Sequence, residues 1–376
     1  MSNLMRWLFP FLLAFAGLDA VACPLCMGAY QSSAGQMLVD MRRAVLAAPT
    51  ADGSGYRVVE VFKGERPAGG IIAADALHLK ATTTENATLL LVSNDGWPMW
   101  VSIGAVSAQY ADLLRKVAAG KRSTDRNADD WRMRVTLLLP YLEDREPLVA
   151  EIAYGEFAAA PYAALLTVKP RLSAPAIRGW LADPKLAVRQ PLYLLLLGIA
   201  GDARDAAQIE RRLDAAWQAG DAAYVGSLIA ADLQLRGPGR LSWVDERYLL
   251  DPKRSTREIE AALLALSVQG NANATIARER VIESYRKFMD VHPDIAGYVA
   301  QDFAAWRYWD AVPEYVALMK SNIRQQYPSR IAIIAYLRQS PAGKAGSIDL
   351  PLSESLSSEQ ATSTVPKAST MPVLPQ

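Results

Sequence analysis

The pattern of hydrophobic and polar positions changes character near residue 120. Before it, short runs rich in aliphatic and β-branched residues alternate with turn residues, which is typical of strands. Five short strands in roughly 90 residues predict a small β barrel or sandwich over residues 23–120. The predicted strands are 44–48, 56–62, 76–80, 88–92 and 100–103, and helices are predicted at 35–40 and 108–119.

From Trp131 onward the chain is rich in Ala and Leu, and a polar residue followed by a proline-led helix start recurs. The starts lie at 147, 184, 221, 252, 293 and 328, which are 37, 37, 31, 41 and 35 residues apart; 221 alone lacks the proline. Proline loses no hydrogen bond in the first helical turn, and an acidic residue before it can cap the helix. Near-regular spacing favours stacked helical hairpins over six unrelated helix starts.

We therefore predict an α+β, multidomain protein. Residues 121–130 form a polar linker, and residues 131–340 form an α-solenoid of helical hairpins. Residues 341–376 contain many serines and prolines and no aromatic residue, which predicts a disordered tail.

Residues 1–22 have the pattern of a signal peptide. Arg6 provides the positive charge, residues 7–17 form an apolar run too short to span a bilayer, and Ala20-Val21-Ala22 matches a cleavage site. A buried N-terminal helix would need an amphipathic pattern, which this run lacks. We expect an exported protein, periplasmic or at the cell surface, with Cys23 as its first mature residue.

Cys23 and Cys26 are the only cysteines and the most chemically suggestive motif. A structural disulfide in an oxidising compartment is the favoured interpretation. Redox exchange is an alternative, although thioredoxin-like enzymes place such a pair directly after a strand. Lipidation of Cys23 is another, although Ala20 and Pro24 depart from the usual lipoprotein pattern. Metal capture through the terminal amine stays open too.

The remaining composition offers little chemistry. The formal net charge is +1, which gives no surplus that points to nucleic acid or to an anionic membrane. With two histidines far apart, we expect no metal site, no cofactor and no catalytic residue. Residues 192–200 are the most apolar later segment, but they are short and flanked by charges. We read them as a buried helix and predict no transmembrane segment.

Four tryptophans are candidate binding residues. Trp97 and Trp100 flank a turn that contains Pro98, where they could stack on a sugar or a peptide or fill a small core. Trp306 and Trp309 belong to an aromatic cluster near the last repeats. Their spacing favours core packing, but the excess of aromatic residues could leave an exposed anchor patch.

Asp183-Pro184, followed by Arg189, is similar to the start of the inner helix in HEAT repeats, and residues 196–202 resemble a HEAT helix end. Cys23-Pro24-Leu25-Cys26, with a strand that ends in residues 61–64, resembles uncharacterised exported bacterial proteins that join such a module to helical repeats. The β module is distantly similar to the netrin-like OB-fold of metalloprotease inhibitors. This chain has no third cysteine for that family's bridges, so inhibitor activity is not implied.

Together these features predict an exported binding or scaffold protein, more a binder than an enzyme. It would hold another envelope protein on the surface of its solenoid. The alternatives are a thiol–disulfide redox protein that uses Cys23 and Cys26, and an envelope scaffold anchored by a lipid on Cys23.

Overall fold

The computed structural model describes Leu25, residues 33–78 and residues 87–348. The chain divides into two compact units: unit 1 is Met1–Tyr248 with Lys253–Ser284, and unit 2 is Leu249–Pro252 with Tyr285–Gln376. The predicted linker at 121–130 lies inside unit 1. On either side of it, the Ser107 backbone N–H donates to the Glu146 carboxylate at 3.2 Å. The β and helical parts before Tyr248 thus share one compact unit.

An α+β fold is confirmed: a nearly closed, six-stranded mixed sheet precedes many helices. The strand order is β3-β2-β1-β5-β6-β4. All neighbours are antiparallel except β4 and β6, which are parallel. The strands are β1 (Arg43–Pro49), β2 (Gly55–Lys63), β3 (Ile71–Ala73), β4 (Leu77–His78), β5 (Leu89–Ser93) and β6 (Trp100–Ala105).

Both faces of the central strands are buried. Side chains alternate between the two faces of a strand, yet every residue of β5 is buried. One face forms a core with neighbouring strands: Val45, Ala47, Val58, Ile72, Leu89, Leu91 and Trp100. On the sheet, Gly104 lies close to Leu148: a Cβ on Gly104 would be 3.3 Å from a methyl carbon of that side chain. The continuous hydrophobic runs in these strands reflect this double coverage.

Unit 1 contains eleven described α-helices, and α12 crosses into unit 2. They are α1 (Ala34–Asp40), α2 (Ala111–Ala118), α3 (Ala128–Leu138), α4 (Pro147–Ala159), α5 (Tyr162–Leu166), α6 (Ala174–Ala182), α7 (Gln190–Ala200), α8 (Ala203–Ala219), α9 (Val225–Arg236), α10 (Leu241–Val244), α11 (Thr256–Ala272) and α12 (Arg278–Val291). Unit 2 continues with α13 (Ala300–Ala305), α14 (Val312–Lys320), α15 (Tyr327–Gln339) and α16 (Pro341–Lys344).

A helix begins within four residues of each of the six predicted repeat starts. Pro147 opens α4, and Pro184 opens a 3-10 helix, Pro184–Arg189, that leads into α7. The Asp183 carboxylate accepts a hydrogen bond from the Lys185 backbone N–H at 2.9 Å, as a cap should. Proline lies in the first turn of a helix at four of the six predicted starts, 147, 184, 293 and 328, so the proline signal identified helix starts there.

The helices that follow these starts also pack on one another. Helix α7 packs against α9, and α9 packs against α11. The approach is close, since a Cβ added to Gly198 would lie 2.6 Å from the Cα of Ala231. However, residues 192–199 and 225–233 are buried without exception. A two-layer helical stack usually leaves an open surface along one layer, so a HEAT-like solenoid stays a prediction.

Within unit 2, α15 packs against α13 and against the 3-10 helix Pro293–Val299. Aromatic rings fill the space between them, with Phe303, Tyr315 and Tyr336 fully buried. The predicted tail begins at Pro341, where the structure has the short helix α16; residues 349–376 lie outside the described part. In the described part of the chain, no helix combines the length and the apolar character that a membrane span requires.

Candidate interaction site

Cys23 and Cys26 lie outside the described residues, but Leu25 between them is described. A Cβ added to Gly226 of α9 would lie 2.5 Å from the Cδ2 atom of Leu25 and 2.9 Å from the Ala261 carbonyl oxygen. Leu25 therefore lies directly against the backbone of α9, where a larger residue at 226 would displace it.

The structure separates the two tryptophans of the β5–β6 turn. Trp100 is 5% exposed and belongs to the core of the sheet, whereas Trp97 is 53% exposed. The Arg43 guanidinium lies over the Trp100 ring at 5.0 Å, and its Nη2 donates to the carbonyl oxygens of Asn94 and Trp97, both at 2.9 Å. The turn is thus held in place with Trp97 pointing into solvent, where the candidate role in binding stays a prediction.

Trp306 and Trp309 are both half-buried among other aromatic rings of unit 2. Trp306 stacks on Tyr285 with a ring distance of 5.8 Å and an interplanar angle of 7°. Trp309 lies 5.2 Å from the ring of Tyr336. These contacts explain the helical spacing of the cluster, and the part of each indole that stays exposed keeps the binding hypothesis open.

A site that the sequence did not indicate lies where α7 and α9 begin. Val188 lies near the end of the 3-10 helix before α7 and is 67% exposed. Tyr224 precedes α9, and its hydroxyl donates to the Ala187 carbonyl oxygen at 3.3 Å. Arg212 of α8 donates from Nη2 to the Gln190 side-chain oxygen, also at 3.3 Å. We call Val188, Gln190, Arg212 and Tyr224 the Arg212 site.

The Arg212 guanidinium is half-buried and no described carboxylate forms an ion pair with it. Burial disfavours the charged form and lowers the pKa of Arg212, while the nearby Tyr224 acts in the opposite direction. A desolvated cation whose described partner is a neutral amide gains from an incoming anion more than a solvated one does. The site therefore favours binding of a carboxylate or another oxyanion, with the apolar Val188 beside it.

The backbone at Tyr224 is strained. Its φ is +61°, in the left-handed region that costs a residue with a Cβ about 1–2 kcal/mol. Strain of this kind persists where the surrounding structure enforces it, and it concentrates at functional sites. Here it places the tyrosine ring at the end of the buried helix α9, next to Arg212.

A larger polar cluster in unit 1 has its arginines paired with aromatic and acidic side chains of the same cluster. Arg240 lies 3.8 Å over Trp243, Arg247 lies between Trp243 and Trp217 at 4.8 and 4.6 Å, and Arg254 lies 4.8 Å over Trp217. This alternating stack connects α8 to the π-helix Asp245–Leu249 and to the start of α11. Cation–π contacts of this kind stabilise the connection.

Each arginine of that stack also has a carboxylate partner. Asp232 and Glu210 bind Arg240 at 2.6 and 2.8 Å, and Asp214 binds Arg247 at 2.8 Å. Glu258 binds Arg254 at 3.0 Å. Because its charges are compensated internally, the cluster attracts an external anion less than Arg212 does.

Among the described residues, no group of three or more His, Cys, Asp or Glu side chains could hold a metal ion. Comparisons of the chain with protein-family models, with curated proteins and with solved structures find no match. The resemblances noted from the sequence therefore stay predictions, and the geometry described above is what a functional proposal can use.

Proposed function

We propose that the protein is an exported binding or scaffold protein whose helical hairpins hold another envelope protein. The observation that carries this proposal is the Arg212 site, where a half-buried guanidinium that forms no ion pair with a described carboxylate lies beside two exposed side chains, Val188 and Tyr224. We further propose that the bound segment presents a carboxylate to Arg212 and an apolar group to Val188.

The position of the site supports a role in recognition. Val188 and Tyr224 occur at the starts of α7 and α9, which follow the repeat starts at 184 and 221. In stacked helical repeats, neighbouring turns form a continuous edge along which an extended partner can bind. A HEAT-like stack with an OB-like β module in front of it is the architecture that we propose for this purpose.

The energetic expectation follows from the hydrogen bonds available. A hydrogen bond to a charged group contributes about 1.5–3 kcal/mol. Arg212→Gln removes the charge, and it should weaken binding roughly ten- to a hundred-fold. Arg211→Gln is a matched control because Arg211 is the next residue of the same helix, is exposed and forms no described ion pair.

The test is site-specific photo-crosslinking in intact envelopes. A photoreactive amino acid at Val188 should capture a defined envelope protein, identified by mass spectrometry. Capture should fall strongly with Arg212→Gln and should be unchanged with Arg211→Gln. Equal loss in both variants would indicate nonspecific charge attraction, and equal capture in both would refute a role for Arg212.

Tyr224→Gly separates binding from folding. Glycine adopts the observed backbone without strain, which offsets the loss of the tyrosine ring and of its hydrogen bond, so the variant should stay folded with a melting temperature near that of the wild type. Crosslinking at 188 should nevertheless weaken if the ring contacts the partner.

Redox exchange through Cys23 and Cys26 and a lipid anchor on Cys23 stay alternatives. Alkylation of reactive thiols and the intact mass of the exported protein test them.

A further inference from the structure

The charges of unit 2 are segregated along the chain. Between residues 315 and 348 there is no Asp or Glu, whereas the cations are Lys320, Arg324, Arg330, Arg338 and Lys344. The overall net charge of +1 conceals this, because the acidic side chains of unit 2 lie before residue 315 or after residue 348. In the described part of the chain, none of these five cations forms an ion pair.

Exposed apolar side chains lie among three of these cations, around the turn from α14 to α15. Ile323, Tyr327 and Ile331 are 44%, 50% and 40% exposed. Lys320 ends α14, and Tyr327 begins α15. We call Lys320, Ile323, Arg324, Tyr327, Arg330 and Ile331 the basic–apolar surface.

This outward face is distinct from the packing face of the same helix. Ile333, Tyr336 and Leu337 of α15 are buried and point to the interior of unit 2. Tyr327 and Ile331 are four residues apart, so they share one side of the helix. Helix α15 therefore has an apolar side on the interior and a second apolar strip facing solvent.

The polar groups around the strip favour an anionic ligand. The Nε atom of Arg330 is buried and has no hydrogen-bond partner among the described residues. Asp294 is a carboxylate beside the turn, and its Oδ2 accepts from the Gln326 side-chain amide at 3.2 Å. Among the described residues, neither Asp294 nor any other carboxylate forms an ion pair with Lys320, Arg324 or Arg330.

We propose that the basic–apolar surface docks unit 2 on an anionic lipid bilayer. Apolar side chains would enter the headgroup region, and Lys320, Arg324 and Arg330 would contact lipid phosphates. A bilayer accepts side chains that project outward from a helix, whereas a protein partner would need a matching groove. Cations without intervening acids also fit a uniformly negative surface better than the mixed charge of most protein surfaces.

The test measures co-sedimentation of the purified protein with vesicles. It uses a Cys23→Ala background, so that acylation at this position cannot anchor the protein. Vesicles that mix phosphatidylglycerol with phosphatidylcholine should bind it, and vesicles of phosphatidylcholine alone should bind it much less. Lys320→Gln with Arg324→Gln should weaken binding about 25-fold, because each basic residue near such a surface contributes about a five-fold factor.

A matched control removes the same charge elsewhere. Lys169 and Arg171 are exposed, and neither forms a described ion pair, so Lys169→Gln with Arg171→Gln should leave vesicle binding unchanged. Tyr327→Ser with Ile331→Ser should weaken binding about tenfold while leaving the helical circular dichroism intact. Higher salt should weaken the wild type toward the doubly neutralised variant.

Three outcomes would overturn the proposal. One is equal binding to both vesicle types, and another is equal loss in the matched control. The third is salt-sensitive binding to an acidic peptide such as polyglutamate without any binding to vesicles, which would assign the surface to an acidic protein. The outcome does not depend on the Arg212 site, since Arg212→Gln should leave vesicle binding unchanged.

Discussion

Replacing Glu156 with glutamine should destabilise unit 1 more than any exposed charge change. The Glu156 side chain is fully buried in α4, and two buried arginines bind it. Arg126 Nη1 donates to it at 2.6 Å, and Arg134 donates from Nε and Nη2 at 3.0 and 2.9 Å. The carboxylate thus compensates two cations that have little access to water.

The buried Glu156 cluster also holds helix α1 in place. A Cβ on Gly35 of α1 would lie 2.8 Å from a carboxylate oxygen of Glu156, and one on Gly155 would lie 2.4 Å from the Cβ of Ser33. Helix α1 therefore packs on α4 through glycine contacts at the arginine–glutamate cluster. Loss of the charge should loosen α1 together with α3 and α4.

The magnitude follows from the burial of all three side chains. Removing one partner of a buried ion pair costs about 3–5 kcal/mol, because the remaining charge stays buried without compensation. Glutamine has nearly the same shape, so the loss reports charge and hydrogen bonding, not a cavity. Glu283→Gln is the matched control. Glu283 and its partner Arg280 are more than half exposed, so the expected loss is about 0–1 kcal/mol.

The pH dependence gives an independent check. Burial alone would raise the pKa of Glu156, but the hydrogen bonds and charges of Arg134 and Arg126 outweigh it and hold the pKa below its usual value. A carboxyl group whose folded pKa is lowered contributes stability above its unfolded pKa of about 4.3, and this is lost as pH falls through the folded pKa. The difference in free energy of unfolding between wild type and Glu156→Gln should therefore become smaller as the pH falls below the unfolded pKa and through the folded pKa.

The assay is urea unfolding followed by circular dichroism at neutral pH and at successively lower pH. Hydrogen exchange of α3 provides a local readout in case the two units unfold separately. A loss below about 1 kcal/mol, or a stability gap that does not change with pH, would refute our account of the cluster.

Three further substitutions, two of them with a matched control, test packing in unit 1 by thermal melts or, for Gly226, by proteolysis. Trp100→Ala should cost about 3–5 kcal/mol because the ring is buried, whereas Trp97→Ala in the same turn should cost little; equal costs would contradict the assigned core. Gly198→Ala should cost about 1–3 kcal/mol, because its Cβ would lie 2.6 Å from a Cα of α9. Gly179→Ala, an exposed helical position with no atom within 4 Å, should instead stabilise by about 0.5–1 kcal/mol, and the reverse order would refute the contact. Gly226→Ala should increase proteolysis near Leu25, and an unchanged cleavage pattern would count against that contact.

The local elements were largely predictable from the sequence. Four of the five expected strands overlap β1, β2, β5 and β6, and the fifth overlaps β4 as far as it is described. Alternating and continuous apolar runs, turn residues and helix caps depend only on neighbouring residues, so they can be read from the sequence. Strand β3 was missed because three residues carry too little pattern, although its partner β2 is the preceding strand.

The division into units was decided by tertiary packing. A polar segment at 121–130 has the composition of a linker, yet α1 packs on α4 across it, and Ser107 binds Glu146. A polar stretch shows that a segment is exposed and does not show whether the elements on either side bury surface against each other.

The candidate binding surfaces were likewise predictable only in part from the sequence. The pattern of residues 1–22 predicts export, the composition offers little catalytic chemistry, and the run of cations after residue 315 is visible in the sequence. The sequence does not show, however, which of its forty Lys and Arg side chains have an acidic partner. Arg212 differs from Arg240 because no described acidic residue forms an ion pair with it, and Ile331 differs from Ile333 because only one side of α15 is covered. Charge compensation and burial are set by neighbours from other helices, so only the folded chain determines which residues can bind a partner.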